Sequence, residues 1–252
     1  MTARRSLGMM AALLIVASTS AQSAPRTEAV NIVLVHGALV DGSSWRAVYD
    51  VLTRDGYRVS IVQEPLTGFA EDVAATKRVL DQQDGPVVLV GHSYGGSIIT
   101  VAGVEPKVKA LVYVAALQPD VGETSAQVAA PMPPASNDLR RTEDGFVFLD
   151  PVKFAADFAA DLPKGEGEFL AHAQVPVSAA VFNAKLTAAA WHGKPSYAII
   201  TTQDHELNPK IARWMAKRAG SKVTFLRAGH DVYIAYPRAV ARVIESAARA
   251  IR

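Results

Sequence analysis

A serine flanked by glycines is the residue of this chain with the clearest chemical potential. Residues 91–95 read Gly-His-Ser-Tyr-Gly and directly follow the apolar run at 87–90. A strand, a sharp turn and a helix start form the context in which G-x-S-x-G exposes a nucleophilic hydroxyl. Such a turn strains the serine backbone, and Gly91 and Gly95 leave room for it because they lack a Cβ atom. The pattern predicts that Ser93 is a nucleophile.

A serine hydroxyl needs a neighbouring base to accept its proton. Among the six histidines, only His230 follows an apolar stretch, at residues 222–228, and comes after the serine in the order that such hydrolases use. This position predicts that His230 lies at the carboxyl end of a strand, where open α/β sheets build their sites. We expect His230 to be the base.

The base in turn needs an acid to orient it, and three carboxylates are candidates. Asp204 ends the apolar stretch that begins at Ser196, and is preferred for that reason. Asp120 follows the preceding apolar stretch and is the competitor. Glu206 is a further alternative, although it lies two residues beyond Asp204.

Two backbone N–H groups are expected to bind the developing oxyanion. One belongs to Tyr94, directly after the serine, and the other to the loop after the strand that ends at His36-Gly37-Ala38. Preorganised donors of this kind are typically worth about 3–4 kcal/mol each. The amides of Ala38 and Tyr94 are therefore the predicted oxyanion hole.

Short apolar strands alternate with helical patterns along most of the chain. Six strands are predicted, beginning near residues 31, 58, 86, 108, 196 and 222. Helical spacing is clear between Phe69 and Leu80, and again from Val240 to Ile251. This alternation indicates an α/β fold with a mostly parallel sheet of about six strands, covered by helices on both faces.

Residues 118–195 interrupt the alternation and lie before the strand that carries Asp204. They contain two predicted helices, near 151–162 and 165–174, and a predicted hairpin around Asp144-Gly145. Because this segment must pass over the carboxyl ends of the strands, it is predicted to form a cap above Ser93. Six large side chains are its candidates for the substrate pocket: Met132, Phe146, Phe148, Phe158, Phe169 and Phe182.

Taken together, these segments resemble the α/β-hydrolase superfamily, most closely the small bacterial serine esterases and the plant methylesterase and hydroxynitrile lyase group. The resemblance covers nearly everything from residue 31 to the end except the middle. It implies Ser93 as nucleophile, Asp204 as acid and His230 as base, with Ala38 and Tyr94 as oxyanion donors. Asp231 stands where the hydroxynitrile lyases of that group carry a lysine, so lyase activity is not expected.

Composition agrees with an ordinary globular enzyme, with 50% hydrophobic and 20% charged residues. Residues 1–24 have the basic start, apolar block and small-residue end of a signal peptide, so a periplasmic or secreted protein is expected, with residues 25–252 as the hydrolase domain. Without Arg4 and Arg5, Lys+Arg falls from 26 to 24 and equals Asp+Glu at 24, and no nucleic-acid patch is present. No cofactor, metal or stable membrane anchor is expected.

The sequence therefore predicts a serine hydrolase that cleaves a small, hydrophobic carboxylic ester through an acyl-enzyme. Two alternatives stay open. The same residues could act on an amide, a lactone or a carbon–carbon bond, or act as a perhydrolase. The fold could also bind a ligand without catalysis, although such a protein would have no reason to keep Ser93, Asp204 and His230 together.

Overall fold

A computed structural model describes residues 30–136 and 138–251. Its main sheet has six parallel strands in the spatial order β2-β1-β3-β4-β8-β9. These strands are β1 (Asn31–Val35), β2 (Arg58–Ile61), β3 (Val87–His92), β4 (Val108–Val114), β8 (Ser196–Thr201) and β9 (Lys222–Leu226). The predicted number of strands and the α/β class are confirmed. The predicted signal peptide lies outside the described residues.

Helices cover both faces of this sheet because every central strand is apolar on both sides. In β1, for example, Val33 and Val35 face one hydrophobic cluster, whereas Ile32 and Leu34 face the other. The first cluster is covered by α2 (Phe69–Asp81), α3 (Gly95–Ala102) and α7 (Pro209–Arg218), and the second by α1 (Arg46–Arg54) and α9 (Pro237–Arg249). Burial on both faces is what near-continuous apolar strands predict for a parallel sheet.

The middle of the chain forms a second, smaller layer. Its three-stranded antiparallel sheet contains β5 (Leu139–Arg141), β6 (Phe146–Leu149) and β7 (Val177–Ser178), and the turn between β5 and β6 is the predicted hairpin. Three helices accompany these strands: α4 (Ser125–Ala129), α5 (Pro151–Asp157) and α6 (Lys164–His172). The short helix α8 (Val232–Ala235) follows later, before α9.

Helix α5 is shorter than its apolar spacing predicts, because it ends at Asp157 rather than near Leu162. Phe158 closes it by donating its backbone N–H to Phe154 O at 2.8 Å. The two rings then stack, with centroids 4.9 Å apart, and both side chains are buried. Turns occupy the following residues up to α6. In the described part of the chain, no helix combines the length and the apolar character that are needed to cross a membrane.

Candidate active site

Ser93 lies at the sharp turn between β3 and α3. Its φ is +50°, in the left-handed region that residues with a side chain rarely adopt. The turn is tight: a Cβ atom on Gly91 would lie 2.5 Å from Gly95 O, and one on Gly95 would lie 2.5 Å from His36 O. Only glycine fits at these two positions. The strained serine is held by backbone hydrogen bonds, including Ser93 N to Val114 O at 3.2 Å.

His230 connects Ser93 to Asp204. Its Nε2 lies 2.9 Å from Ser93 Oγ, and its Nδ1 lies 2.9 Å from Asp204 Oδ2 and 3.0 Å from Oδ1. With a carboxylate on Nδ1, the neutral ring carries its proton there and leaves Nε2 free to accept from the hydroxyl. This is the arrangement in which an imidazole can deprotonate a serine.

The acid is fixed by its own surroundings. Asp204 Oδ1 accepts hydrogen bonds from the backbone N–H groups of Glu206 at 2.9 Å and Leu207 at 2.8 Å. Asp204 Oδ2 accepts from Thr201 Oγ1 at 2.7 Å. The bond at Nδ1 of His230 completes the set, so the carboxylate has little freedom to turn away from the imidazole.

The competing acid lies elsewhere. Asp120 Oδ1 is 2.8 Å from Nε2 of His192, an exposed histidine outside the cavity, and Asp120 makes no contact with His230. Asn208, rather than Asp204, provides the N-cap of α7, because its side chain accepts from Lys210 N at 3.0 Å.

Burial and charge act in opposite directions on the imidazole. Burial has the largest single effect and lowers the pKa of His230, but the surrounding carboxylates, Asp204 above all, together outweigh it, and the pKa is raised above its usual value. Glu206 and Asp231 contribute in the same direction. The raised pKa means that the ring accepts a proton more readily than a free imidazole.

His92, beside the serine, supports the histidine loop. Its Nε2–H donates to His230 O at 3.0 Å, and its ring packs against those of His230 and Tyr233, with centroids 4.7 Å and 4.3 Å away. Burial, followed by the proximity of His230, lowers the pKa of His92 well below the usual value. His92 is therefore neutral and packed.

Both predicted oxyanion donors belong to residues that line the same cavity as Ser93 and His230. Tyr94 begins α3, and its hydroxyl donates to Asp72 Oδ2 at 2.8 Å. Ala38 follows the loop that His36 holds, with His36 Nδ1 2.8 Å from Gly37 O and Nε2 2.7 Å from Glu64 Oε2. The loops that carry the two amides are thus held in place by these buried side-chain contacts.

The cavity has a volume of about 270 Å³ and is lined mostly by apolar side chains. Among the side chains predicted to contact substrate, Phe158 and Phe182 line it. Much of the remaining wall also comes from the segment 118–195, in residues that the sequence did not single out: Ser125, Ala126, Ala129, Pro134, Leu139, Val147 and Val177.

Four of the predicted pocket residues do not line this cavity, and that part of the prediction is wrong. In β6, Val147 and Leu149 are the buried residues, so the alternating Phe146 and Phe148 lie on the other face of the strand. Met132 lines a separate pocket, together with Trp214. Phe169 is 68% exposed on α6.

The described residues contain no group of three or more His, Asp or Glu side chains placed to hold a metal ion. What the site does contain is a serine, an imidazole and a carboxylate within hydrogen-bond distance of one another, opening into an apolar cavity. That arrangement can transfer a proton from a hydroxyl and attack a carbonyl carbon.

Comparison with known proteins places this geometry in context. A model of the alpha/beta hydrolase family matches residues 32–243. The chain is 33% identical over 108 residues to a carbendazim hydrolyzing esterase of Nocardioides sp., covering 37% of this chain and 45% of the relative. It is 26% identical over 250 residues to the alpha/beta hydrolase nvfD of Aspergillus novofumigatus, covering 86% of this chain and 96% of the relative. The match to the esterase thus spans less than half of that relative.

Solved structures share the whole fold. A pyrethroid hydrolase from Sphingobium faniae superimposes with a TM-score of 0.75 at 25% identity, covering 88% of this chain and 98% of that one. Polyneuridine aldehyde esterase superimposes with a TM-score of 0.75 at 19% identity, covering 88% of this chain and 100% of that one. The second likeness shows the fold alone.

Proposed function

Because the chain belongs to the alpha/beta hydrolase family, we propose that it is a serine esterase that cleaves small, hydrophobic carboxylic esters through an acyl-enzyme on Ser93. One observation carries the proposal: His230 Nε2 lies 2.9 Å from Ser93 Oγ while Asp204 binds Nδ1 of the same ring. A ligand-binding protein has no need for this arrangement, since each of its contacts serves the proton transfer.

The reaction begins when Ser93 Oγ attacks the ester carbonyl carbon and its proton moves to His230 Nε2. The imidazolium that forms is stabilised by Asp204, whose position four hydrogen bonds fix. The carbonyl oxygen becomes an oxyanion and is bound by the N–H groups of Ala38 and Tyr94, each worth about 3–4 kcal/mol.

Collapse of this intermediate expels the alcohol, which takes the proton from His230 and leaves Ser93 acylated. Water then enters, gives a proton to the same imidazole and attacks the acyl carbonyl. The second tetrahedral intermediate returns the proton to Ser93 and releases the acid.

The shape and polarity of the cavity support a small apolar substrate. Its volume of about 270 Å³ is below the usual range for drug-sized ligands, and Phe158, Phe182 and several aliphatic side chains form its wall. The names of the relatives, a carbendazim hydrolyzing esterase and a pyrethroid hydrolase, support hydrolysis by this family.

A matched substrate series tests the proposal. The purified protein is assayed with 4-nitrophenyl esters from acetate to dodecanoate, alongside a 4-nitroanilide and a γ-lactone. We expect kcat/KM to be highest for short acyl chains, to fall once the chain exceeds the cavity, and to be negligible for the anilide. A preference for the anilide or the lactone would reassign the bond, and failure to hydrolyse any of the compounds would contradict enzymatic function.

A further inference from the structure

The wall of the cavity contains one carboxyl group that catalysis by Ser93, His230 and Asp204 does not use. Glu206 lines the cavity together with Ser93 and His230. The other polar side chains in the lining, apart from those of Ser93 and His230, are engaged: the hydroxyl of Ser125 with Ser97 Oγ at 2.8 Å and that of Tyr94 with Asp72 Oδ2 at 2.8 Å. Glu206 is therefore the one acidic side chain in an otherwise apolar binding surface.

The backbone of Glu206 is fixed, but its side chain is not satisfied. Its N–H donates to Asp204 Oδ1 at 2.9 Å, which sets the position of the residue relative to the acid of the site. Its Oε1 is buried and accepts no hydrogen bond from any described residue. The Ser136 hydroxyl donates to Asp157 Oδ2 at 3.0 Å and also interacts with the Glu206 carboxyl, whose pKa it lowers.

An unpaired carboxyl oxygen at this depth costs free energy in the empty enzyme. Burial raises the pKa of Glu206, with the carboxylates of Asp204 and Asp157 adding to the effect and the nearby His230 and Ser136 opposing it. Oε1 itself has no partner among the described residues that would offset this cost. A substrate that brought a hydrogen-bond donor into the cavity would provide one, and the soft terminal torsion of glutamate would let either oxygen turn towards it.

Apolar binding sites gain their specificity from a few well-placed polar groups, because such a group orients any ligand that can pair with it. We propose that Glu206 is a specificity-determining residue that accepts a hydrogen bond from a neutral N–H or O–H group of the substrate. The preferred substrates are then small hydrophobic esters that carry one such donor away from the scissile bond. This inference rests on the esterase function proposed above and deepens it.

Pairs of esters that differ in a single donor test this role. In one pair, 4-nitrophenyl 3-hydroxypropanoate and 4-nitrophenyl butanoate, the acyl group exchanges a hydroxyl for a methyl. In the other pair, 3-hydroxyphenyl acetate and 3-methylphenyl acetate, the same exchange of hydroxyl for methyl is made on the leaving group. For each pair, the ratio of the two kcat/KM values is measured in wild type, Glu206→Gln and Glu206→Leu, with the exposed Glu143→Gln as control.

In at least one pair, we expect the wild type to favour the donor-bearing ester, and Glu206→Leu to reduce that ratio by about 10–100-fold, the worth of a hydrogen bond to a charged group. Loss of the Glu206 charge lowers the pKa of His230, but this effect acts on both esters of a pair alike and cancels in the ratio. Glu206→Gln keeps an acceptor oxygen, so its ratio should lie between those of wild type and Glu206→Leu. The ratio in Glu143→Gln should match that of wild type. A purely structural role for Glu206 would lower both kcat/KM values together and leave the ratio constant.

The two proposals fail in distinguishable ways. Ratios that are the same in wild type and in both Glu206 variants, with all three proteins active, would overturn the role of Glu206 and leave the esterase function standing. If Glu206→Leu does not fold, the Glu206→Gln ratio alone decides in the same way. If the wild type hydrolyses none of the four esters, the esterase function is contradicted, and this inference with it.

Discussion

The hydroxyl of Tyr94 donates to Asp72 Oδ2 at 2.8 Å, and both side chains are buried beneath the turn that carries Ser93. The other carboxyl oxygen, Asp72 Oδ1, accepts from the backbone N–H of Leu66 at 2.8 Å. Leu66 O in turn accepts from Ser178 N, in the segment above the site, at 2.8 Å. The residue whose amide is expected to bind the oxyanion is therefore anchored through its own side chain.

Replacement of Tyr94 by phenylalanine should lower kcat by about 10-fold while KM changes little, because a loosened amide stabilises mainly the transition state. Unfolding free energy should also fall by about 1–3 kcal/mol, since the buried carboxylate of Asp72 loses a donor. Tyr113→Phe is the matched control: this tyrosine is equally buried and bonds Thr100 at 2.9 Å, but does not line the cavity. Unchanged kcat in Tyr94→Phe would contradict the anchoring role.

The choice of acid predicts very unequal effects at two aspartates. Asp204→Asn should reduce kcat by about 10⁴-fold, because an amide facing Nδ1 favours the wrong imidazole tautomer. Asp120→Asn should stay near wild type, since Asp120 pairs with the exposed His192. Steady-state kinetics with one short 4-nitrophenyl ester compare the two variants. A larger loss in Asp120→Asn would transfer the assignment to that residue.

The activity should depend on pH through His230. Burial lowers its pKa, but Asp204, Glu206 and Asp231 together raise it by more, so the net pKa lies above 6.5. Because the base must be neutral, kcat/KM should follow a single sigmoid: low below this raised pKa, where the imidazole is protonated, and at a plateau above it. The free-enzyme profile between pH 5 and 9 measures the midpoint. A midpoint at or below 6.5 would show that desolvation prevails over the carboxylate.

Asp231 should make the folded state less stable at higher pH. Its side chain is fully buried, neither carboxyl oxygen has a partner among the described residues, and burial, with Asp161 nearby, raises its pKa to about 7. Between about 3.8 and 7 the folded state binds more protons here than the unfolded state, so stability falls as the pH rises through this window.

Replacement of Asp231 by asparagine removes this ionisation. Relative to wild type, the variant should therefore lose less unfolding free energy between pH 5 and pH 8, by about 3 kcal/mol. Urea denaturation at the two pH values measures the difference, with the exposed Asp81→Asn as control. Parallel losses in wild type and Asp231→Asn would mean that the carboxyl group ionises normally in the folded protein.

The sheet could be predicted from sequence because each strand is a short apolar run between helical patterns, and burial on both faces needs only that pattern. The elements around Ser93, Asp204 and His230 were also accessible, since all three residues end or follow such a run. The end of α5 could not be predicted from sequence, because Phe158 and Leu162 continue the helical spacing although the chain turns after Asp157.

The pocket was harder to predict than the residues at its base. All four residues of β6 are apolar, so alternation along the strand gives no indication of which pair faces the cavity. Tertiary packing decides in favour of Val147, and the larger Phe146 and Phe148 lie on the opposite face. The sequence indicates Glu206 only as an alternative acid, because nothing in its local sequence shows that it reaches the wall of an apolar cavity.

The central claim is that Ser93 is the nucleophile, and covalent trapping tests it most directly. Wild type and Ser93→Ala are treated with a fluorophosphonate, and the adduct is located by intact mass and peptide mapping. We expect one adduct on the wild type, at Ser93, and none on Ser93→Ala, while Ser125→Ala, a variant at a second serine in the cavity lining, labels at Ser93 like wild type. An adduct at another serine, or equal labelling of Ser93→Ala, would contradict the assignment of Ser93 as nucleophile.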